Sequence, residues 1–320
     1  MYAMTMMKLT VKETAEFLLK NDNFSILSHR RPDGATLGST AALCLALRKL
    51  GKTAHVIENS ETTDRFRWLH AGLSKAEAGE NDTIVTVDVA SPGMLPPSFE
   101  KYLGSIALRI DPHASATSYT DRDLVIPESA ACAEIVADLA AEMGVSLDAA
   151  LADAIYVGTA TDTGCFRFAN TNAHTFAVAA DCAAAGARVY QLNQELFETN
   201  TLGRLRIQAW IVEHLQLLRS GTMAICAIPK AVEEEIGVAE DDMDNISSFP
   251  RTVAGVCMAS TLRETKEGDV KLSVRAIPGY DATVLTARFG GGGHKGAAGA
   301  TLKMSLAEAA KAVEKAMLEL

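Results

Sequence analysis

Residues Phe24 to Leu50 read FSILSHRRPDGATLGSTAALCLALRKL. The apolar run Phe24-Ser25-Ile26-Leu27 has the length and composition of a buried strand. Leu37 to Leu50 is rich in Ala and Leu at helical spacing. Between them lies a polar turn carrying His29, Asp33 and Gly34. A strand, a turn with His and Asp, then a helix is how α/β proteins build a site at the carboxyl end of a sheet.

The same alternation continues outward. Strands are expected at Thr53 to Ile57, Asn81 to Val87 (ending at Asp88) and Ser105 to Ile110 (ending at Asp111). Helices are expected at Ser129 to Met143, with Ser129 as cap and Gly144 as stop, at Leu147 to Ala160, and at Thr171 to Ala185. The fold class is therefore α/β, a doubly wound and mostly parallel sheet with helices on both faces. Tyr190 to Leu218 lacks a strand signal and reads as helices bridging two domains. Beyond it the pattern restarts: strands at Met223 to Ile228, Thr252 to Ala259 and Val270 to Ala276, a helix at Asp281 to Arg288, and a last helix from Ser305. This gives a large domain over 1–190, a helical linker over 191–220 and a smaller α/β domain over 221–320.

The chain has 320 residues, 48% of them hydrophobic and 22% charged, which fits globular folding. Its net charge of −10 argues against a broad duplex-DNA surface but not against a short nucleotide. No apolar run reaches the roughly 18–20 residues of a membrane span. The Met-rich start is interrupted by Lys8, Lys12, Glu13 and Glu16 and reads as an amphipathic helix, not a signal peptide. Six scattered cysteines without a CxxC pair read as free thiols of a cytoplasmic protein. The apolar bridge at Tyr190 to Leu218 would suit a homodimer.

Acids and histidines gather at the predicted strand ends. His29 and Asp33 follow the first strand, Asp88 the third, Asp111 and His113 the fourth, and Asp162 sits in a TDTG turn after a helix. Parallel strands bring such residues out along one edge. Crowded carboxylates repel unless a cation sits among them. Asp with His is a ligand set for Mn²⁺ or a similar divalent ion. His55, His70, His174 and His214 read as ordinary structural residues, and Glu233 to Asp244 as solvated surface. A second concentration of signal is GGGGHKGAAGA. Gly290, Gly291, Gly292 and Gly293 cost backbone entropy and gain nothing for packing, so consecutive N–H groups aimed at an anion are expected. His294, Lys295, Arg275 and Arg251 are nearby candidates for phosphate or base contacts.

Together these motifs resemble the DHH phosphoesterase superfamily, in its DHHA1 branch, over essentially the whole chain. HRRPDGATLGS is similar to the first motif, usually H-x-x-P-D-x-D-x-x-G-S, and VTVDVA to the second. IDPHAS stands where D-H-H is usual, and TDTGCFRF resembles the fourth. KLSVRA with FGGGGHKGAAG resembles the DHHA1 signature. The likeness is greatest to small bacterial enzymes that degrade very short RNAs and dephosphorylate phosphoadenosine phosphate.

The resemblance implies a metal domain and a smaller DHHA1 domain that closes over the cleft and grips the nucleotide. It implies one Mn²⁺ at His29, Asp33 and Asp88. A second ion would use Asp88, Asp162, the second Asp of motif one and the first His of motif three. His113 would contact the scissile phosphate, and the glycines with His294 the phosphate and sugar end. This chain departs at the second ion, where Ala35 and Pro112 replace two ligands. Thr36, Asp111 and Thr163 are the side chains that could partly substitute. Two functions follow: a metal-dependent phosphoesterase acting on short oligonucleotides or phosphorylated nucleotides, and a catalytically weak nucleotide-binding sensor of the same fold.

Overall fold

The computed structural model describes residues 7–113, 119–243 and 245–320. Met1 to Met6, and Ala114 and Ser115 of the third motif, lie outside them. The chain divides into two compact units, Met1–Thr199 and Asn200–Leu320. The stretch read as a bridge is shared between them. Leu192 and Leu196 join the first core, while Ile207 and Ile211 join a core of the second unit.

Seven strands form the first sheet: β1 (Met7–Lys8), β2 (Phe24–Leu27), β3 (Ala54–Ile57), β4 (Ser74–Lys75), β5 (Thr83–Val87), β6 (Ile106–Asp111) and β7 (Arg122–Val125). Their order is β1-β7-β6-β5-β2-β3-β4, and every pairing is parallel. The strand order reverses between β2 and β5, which is where doubly wound sheets open a crevice at their carboxyl ends. β2 leads into His29 and β5 into Asp88. The sequence reading missed β1, β4 and β7. The first two have only two residues, and β7 (RDLV) is half polar.

The helices of this unit are α1 (Val11–Lys20), α2 (Gly34–Lys49), α3 (Cys132–Glu142), α4 (Ala149–Asp162), α5 (Ala173–Ala184) and α6 (Val189–Asn193). Side-chain caps start most of them. Thr10 and Glu13 form a capping box on α1, and Asp33, Asp148 and Asn172 cap α2, α4 and α5. α3 departs from expectation. Ser129 is not its cap; the helix starts after Ala131, which makes no side-chain cap bond. Glu134 instead reaches back, its Oε2 accepting the Ala130 N–H at 3.0 Å.

α2 is apolar nearly all round and lies in the core. Leu37, Leu43 and Leu47 are fully buried, each contributing roughly 1.5–3 kcal/mol. It crosses α4 closely because Gly38 and Gly158 meet there. A Cβ on Gly38 would lie 2.6 Å from both Ala154 O and Gly158 N. That crossing ties the start of α2, which carries Asp33, to α4, which ends at Asp162.

The second unit has its own sheet: β8 (Gln216–Leu218), β9 (Met223–Ile228), β10 (Met258–Glu264), β11 (Val270–Ala276), β12 (Gly292–His294) and β13 (Ala297–Leu302). The order is β12-β13-β11-β10-β9-β8, and only β9 and β10 run parallel. Its helices are α7 (Leu202–His214), α8 (Lys230–Ile236), α9 (Ala282–Ala287) and α10 (Leu306–Leu318). β10 begins six residues later than Thr252. Pro250 starts a 3₁₀ turn ending at Thr252, and Gly255 has φ +87°, so the extended run cannot form before it. In β11 alternate residues Val270, Leu272, Val274 and Ala276 are buried, which places Lys271, Ser273 and Arg275 on the other face. Among the described residues no helix is long and apolar enough to cross a membrane.

The helix crossing yields a prediction. Gly38→Ala should destabilise the chain by roughly 1–3 kcal/mol in denaturant unfolding, although Ala is the better helix former. An unchanged or raised midpoint would show that α2 and α4 are not held this tightly.

Candidate metal centre and anion site

His29, Asp33 and Asp88 meet at the carboxyl ends of β2 and β5, each offering a donor atom within 4.8 Å of the others. His29 is oriented by its own loop. Its Nδ1 lies 2.7 Å from the Arg30 carbonyl oxygen, which can only accept, so Nδ1 carries the proton. The lone pair is then on Nε2, 4.0 Å from Asp88 Oδ2. Asn59 fixes the loop from behind, donating to His29 O at 2.9 Å and Ser28 Oγ at 3.0 Å. Asp33 is exposed and does two jobs: Oδ1 caps α2 through the Thr36 N–H at 3.1 Å, and the carboxylate faces Asp88 and His29.

Asp88 is buried, with its backbone in the left-handed region at φ +64°. Non-glycine residues adopt this conformation rarely, Asp and Asn among the most tolerant. Its Oδ2 accepts from Thr36 Oγ1 at 2.6 Å, while its Oδ1 is buried without a hydrogen-bond donor. Thr36 thus orients the Asp88 carboxylate and is not itself among the three donors. A network behind the turn holds it in place. Tyr119 OH donates to Val89 O at 2.9 Å, and Arg109 Nη1 donates to Ala90 O at 3.1 Å. Arg109 is itself buried and paired through two nitrogens with Asp123.

Asp111 is the last residue of β6 and fully buried. It accepts from the backbone N–H of His113 at 3.2 Å and from His113 Nδ1 at 2.9 Å. That bond, and then the nearby charge of Asp88, raise the His113 pKa to about 9 against the opposing effect of burial. Asp88, Asp111 and His113 form a second set of donors within 4.8 Å. Asp162 lies in electrostatic range of this cluster but in neither three-donor set. Burial, then Asp88 and Asp33, push its carboxyl well above the usual carboxylate range. Ala35 is buried on α2. Thr163 is turned away, its hydroxyl donating to Thr159 O at 2.7 Å and accepting from Phe166 N at 3.1 Å. Glu134 was not singled out from the sequence, yet it is fully buried with Oε1 unpartnered, and its charge acts on Asp162. The signal was there: an acid at the fourth position of the largely apolar run ACAEIVADLA.

These residues fit a hard divalent cation. The donors are oxygens and one imidazole nitrogen, the histidine tautomer is set by a second bond, and a buried carboxylate oxygen lacks a partner.

The glycine run in the second unit corrects the expectation that glycines gain nothing for packing. The N–H groups of Gly290 and Gly291 close α9 by donating to Ala287 O and Thr286 O at 3.1 and 2.9 Å. They are not available to an anion. Gly290 has φ +70°, and a Cβ on Gly291 would lie 2.2 Å from Gly299 O. A Cβ on Gly293 would lie 2.6 Å from Ala297 O, so β12 needs glycine to run this close to β13. Gly292 and Gly293 lie in β12, whose ladder with β13 takes the N–H of every other residue, and His294 is exposed. Sheet register then makes a connection invisible in the sequence. Arg275 pairs with Ala297, and Ala297 with His294, so Arg275 and His294 share one row of one face across a small residue. Arg275 is half-buried. Its one described hydrogen bond is to Val274 O at 3.2 Å, and burial lowers its pKa.

Residues 23–159 match the DHH family, N-terminal domain, and residues 223–319 match the DHHA1 domain. A bifunctional oligoribonuclease and PAP phosphatase NrnA from Thermus thermophilus is 32% identical over 87% of this chain and 83% of its own. The protein of the same name from Bacillus subtilis is 23% identical over 88% and 90%. Among solved structures, an exopolyphosphatase-related protein from Bacteroides fragilis superposes with a TM-score of 0.88 at 22% identity, covering 97% of this chain and 96% of the other.

The Asp111–His113 pair predicts a pH effect. A histidine whose folded pKa is raised from 6.5 to about 9 adds stability that is complete below about pH 6.5 and is lost as pH climbs towards 9. In cation-free protein the wild-type thermal midpoint should therefore fall, relative to that of His113→Gln, across this window. Parallel curves would refute the assignment.

Proposed function

Because the chain belongs to the DHH family, with a DHHA1 domain after its DHH domain, we propose that it is a metal-dependent phosphoester hydrolase. Its substrates are short oligonucleotides or phosphorylated nucleotides of the 3′-phosphoadenosine 5′-phosphate kind. The observation that carries this reading is the convergence of His29 Nε2, Asp33 and Asp88 on one point at the sheet's switch. Similarity to the oligoribonuclease and phosphatase relatives supports the substrate class. A divalent cation there, Mn²⁺ being well suited to the donors, would polarise a phosphoryl oxygen and acidify a water.

The chain's own residues supply the rest. Thr36 fixes the rotation of the Asp88 carboxylate. Asp111 orients His113 and holds a proton on its Nδ1, so an imidazolium faces Asp88 where an anionic phosphate would gather. Burial, then Asp88 and Asp33, disfavour the charged form of Asp162, an effect that a nearby cation would offset. In the second unit Arg275 and His294 offer two positive or donor groups to the phosphate and sugar end. The alternative, a nucleotide-binding sensor without turnover, is favoured by one observation: neither Ala35 nor Pro112 has a ligating side-chain atom.

With Mn²⁺ the protein should release phosphate from 3′-phosphoadenosine 5′-phosphate or a mononucleotide from a dinucleotide. Asp33→Asn should lower kcat by roughly 100-fold or more, taking the effect of losing an outer-shell partner as a floor. Calorimetric nucleotide binding with no product would decide for the sensor. Arg275→Met should raise KM by roughly 10- to 100-fold, as loss of a charge-assisted bond of 1.5–3 kcal/mol implies, and change kcat less. An unchanged KM would remove Arg275 from the substrate site.

A further inference from the structure

We propose that a cavity at the carboxyl ends of β3 and β4 is a ribonucleoside pocket, in which Glu58 takes the ribose hydroxyl and Trp68 carries the base. The chain would then favour RNA over DNA among short oligonucleotides. The inference rests on the reading of the strand-end cluster as the place where the substrate's phosphate is held. It adds where the neighbouring sugar and base go.

The cavity has a volume of about 740 Å³, within the roughly 300–1,000 Å³ of small-molecule sites. Glu58, Asn59, Arg67, Trp68, His70 and Ser74 are among its walls, and none of them is a cation donor. Sheet register fixes its position. β3 pairs in parallel with β2, Ile26 opposite Val56, so Glu58 emerges level with Ser28, one strand over from the His29 loop. Such neighbours lie about 4.8 Å apart. The next residue, Asn59, is the one that donates to His29 O and Ser28 Oγ. The Arg31 N–H adds a bond to Glu61 Oε2 at 2.9 Å. The cavity wall and the loop holding His29 are thus one hydrogen-bonded piece. A phosphate at the cluster and a nucleoside in the cavity are adjacent parts of one ligand.

The charges turn the cavity away from phosphate and towards a sugar. Glu58 is exposed, and its carboxylate has no hydrogen bond or ion pair among the described residues. Arg67 is committed to Asp64 through Nε and Nη2, both at 2.9 Å. His70 Nε2 lies 3.2 Å from Leu37 O, which can only accept, so Nε2 carries the proton. Burial lowers the His70 pKa to about 4, and the ring is neutral. A cavity whose arginine is paired, whose histidine is neutral and whose carboxylate is unpaired repels an anion. It suits a neutral group with hydroxyl donors. Doubly wound folds that bind dinucleotides hold the ribose 2′-hydroxyl on such a carboxylate. Deoxyribose has no hydroxyl there to donate.

The base has a platform beside it. Trp68 lies on the 3₁₀ turn Arg67–His70 and packs against the first core, with the Arg188 guanidinium 5.7 Å from its ring centroid. An aromatic ring held in this way stacks any base without reading sequence. His70 Nδ1 keeps its lone pair, with no partner among the described residues, and is an acceptor for a base amino group.

The test compares an adenylyl dinucleotide with its fully 2′-deoxy counterpart on the full-length protein. Affinity is read by calorimetry with Ca²⁺, and KM and kcat with Mn²⁺. Wild type should bind the ribo form at least roughly 10-fold more tightly, as one hydrogen bond to a charged group implies. Glu58→Ala should bring that ratio close to one. Trp68→Ala should weaken both forms by roughly 5- to 150-fold and leave the ratio in place. Glu58 is exposed, so Glu58→Ala decides the matter should Trp68→Ala fail to fold. Equal wild-type affinity for the two forms, or a ribo preference that survives Glu58→Ala, overturns the pocket and leaves the hydrolase reading standing where product still forms. Binding unweakened in Trp68→Ala overturns the base contact. A ribo preference that Glu58→Ala abolishes, with no product from either form, overturns hydrolysis and keeps the pocket. Failure to bind either dinucleotide overturns both.

Discussion

Asp88 stands buried where β5 ends, with a threonine hydroxyl on one carboxylate oxygen and no donor on the other. Much of the first unit can be understood from what this arrangement requires. The left-handed turn must be held, and Tyr119 and Arg109 hold it through the carbonyls of Val89 and Ala90. Arg109 is itself desolvated, and the bidentate Asp123 compensates it. A buried pair of this kind contributes little net stability, but its geometry is exacting. It is better understood as fixing the turn than as strengthening the sheet. Strand order then brings His29 and Asp111 to either side of Asp88, His29 just after β2 and Asp111 at the end of β6.

Much of this was legible in the sequence. β2 and β5 are short apolar runs with turn residues after them, and the acids that matter stand where those runs end. The α/β alternation was also readable, because α2, α4 and α5 have strong caps. What could not be read depended on long-range placement. Asp33 and Asp162 resemble helix-terminus residues, and Asp33 is in fact a cap as well as a donor. Whether it is also something more is decided by Asp88, 55 positions away in the sequence. Glu134 was overlooked because an acid near a helix start is commonplace. β7 was missed because its Arg122 and Asp123 break the apolar pattern, although Asp123 is there to meet Arg109.

The glycine run teaches a different lesson. Read as sequence, four glycines look like a phosphate cradle. In the fold, three of them answer to backbone demands: a positive φ at Gly290 and the close approach to β13 at Gly291 and Gly293. What those glycines permit is a register. By letting β12 run tightly along β13, they bring His294 into the row of Arg275, two strands distant. No spacing rule connects residues 275 and 294, because the connection is made by pairing through a third strand.

The left-handed backbone at Asp88 also bears on how such a chain can drift. That conformation accepts asparagine about as readily as aspartate. Asparagine there would preserve the turn, keep a partner for Thr36 and relieve the repulsion from Asp33, Asp111 and Asp162. A lineage shedding its chemistry would find a nearly strain-free exit at this position, one base change from Asp to Asn. The residue at 88 is the charged alternative, which the backbone alone does not demand.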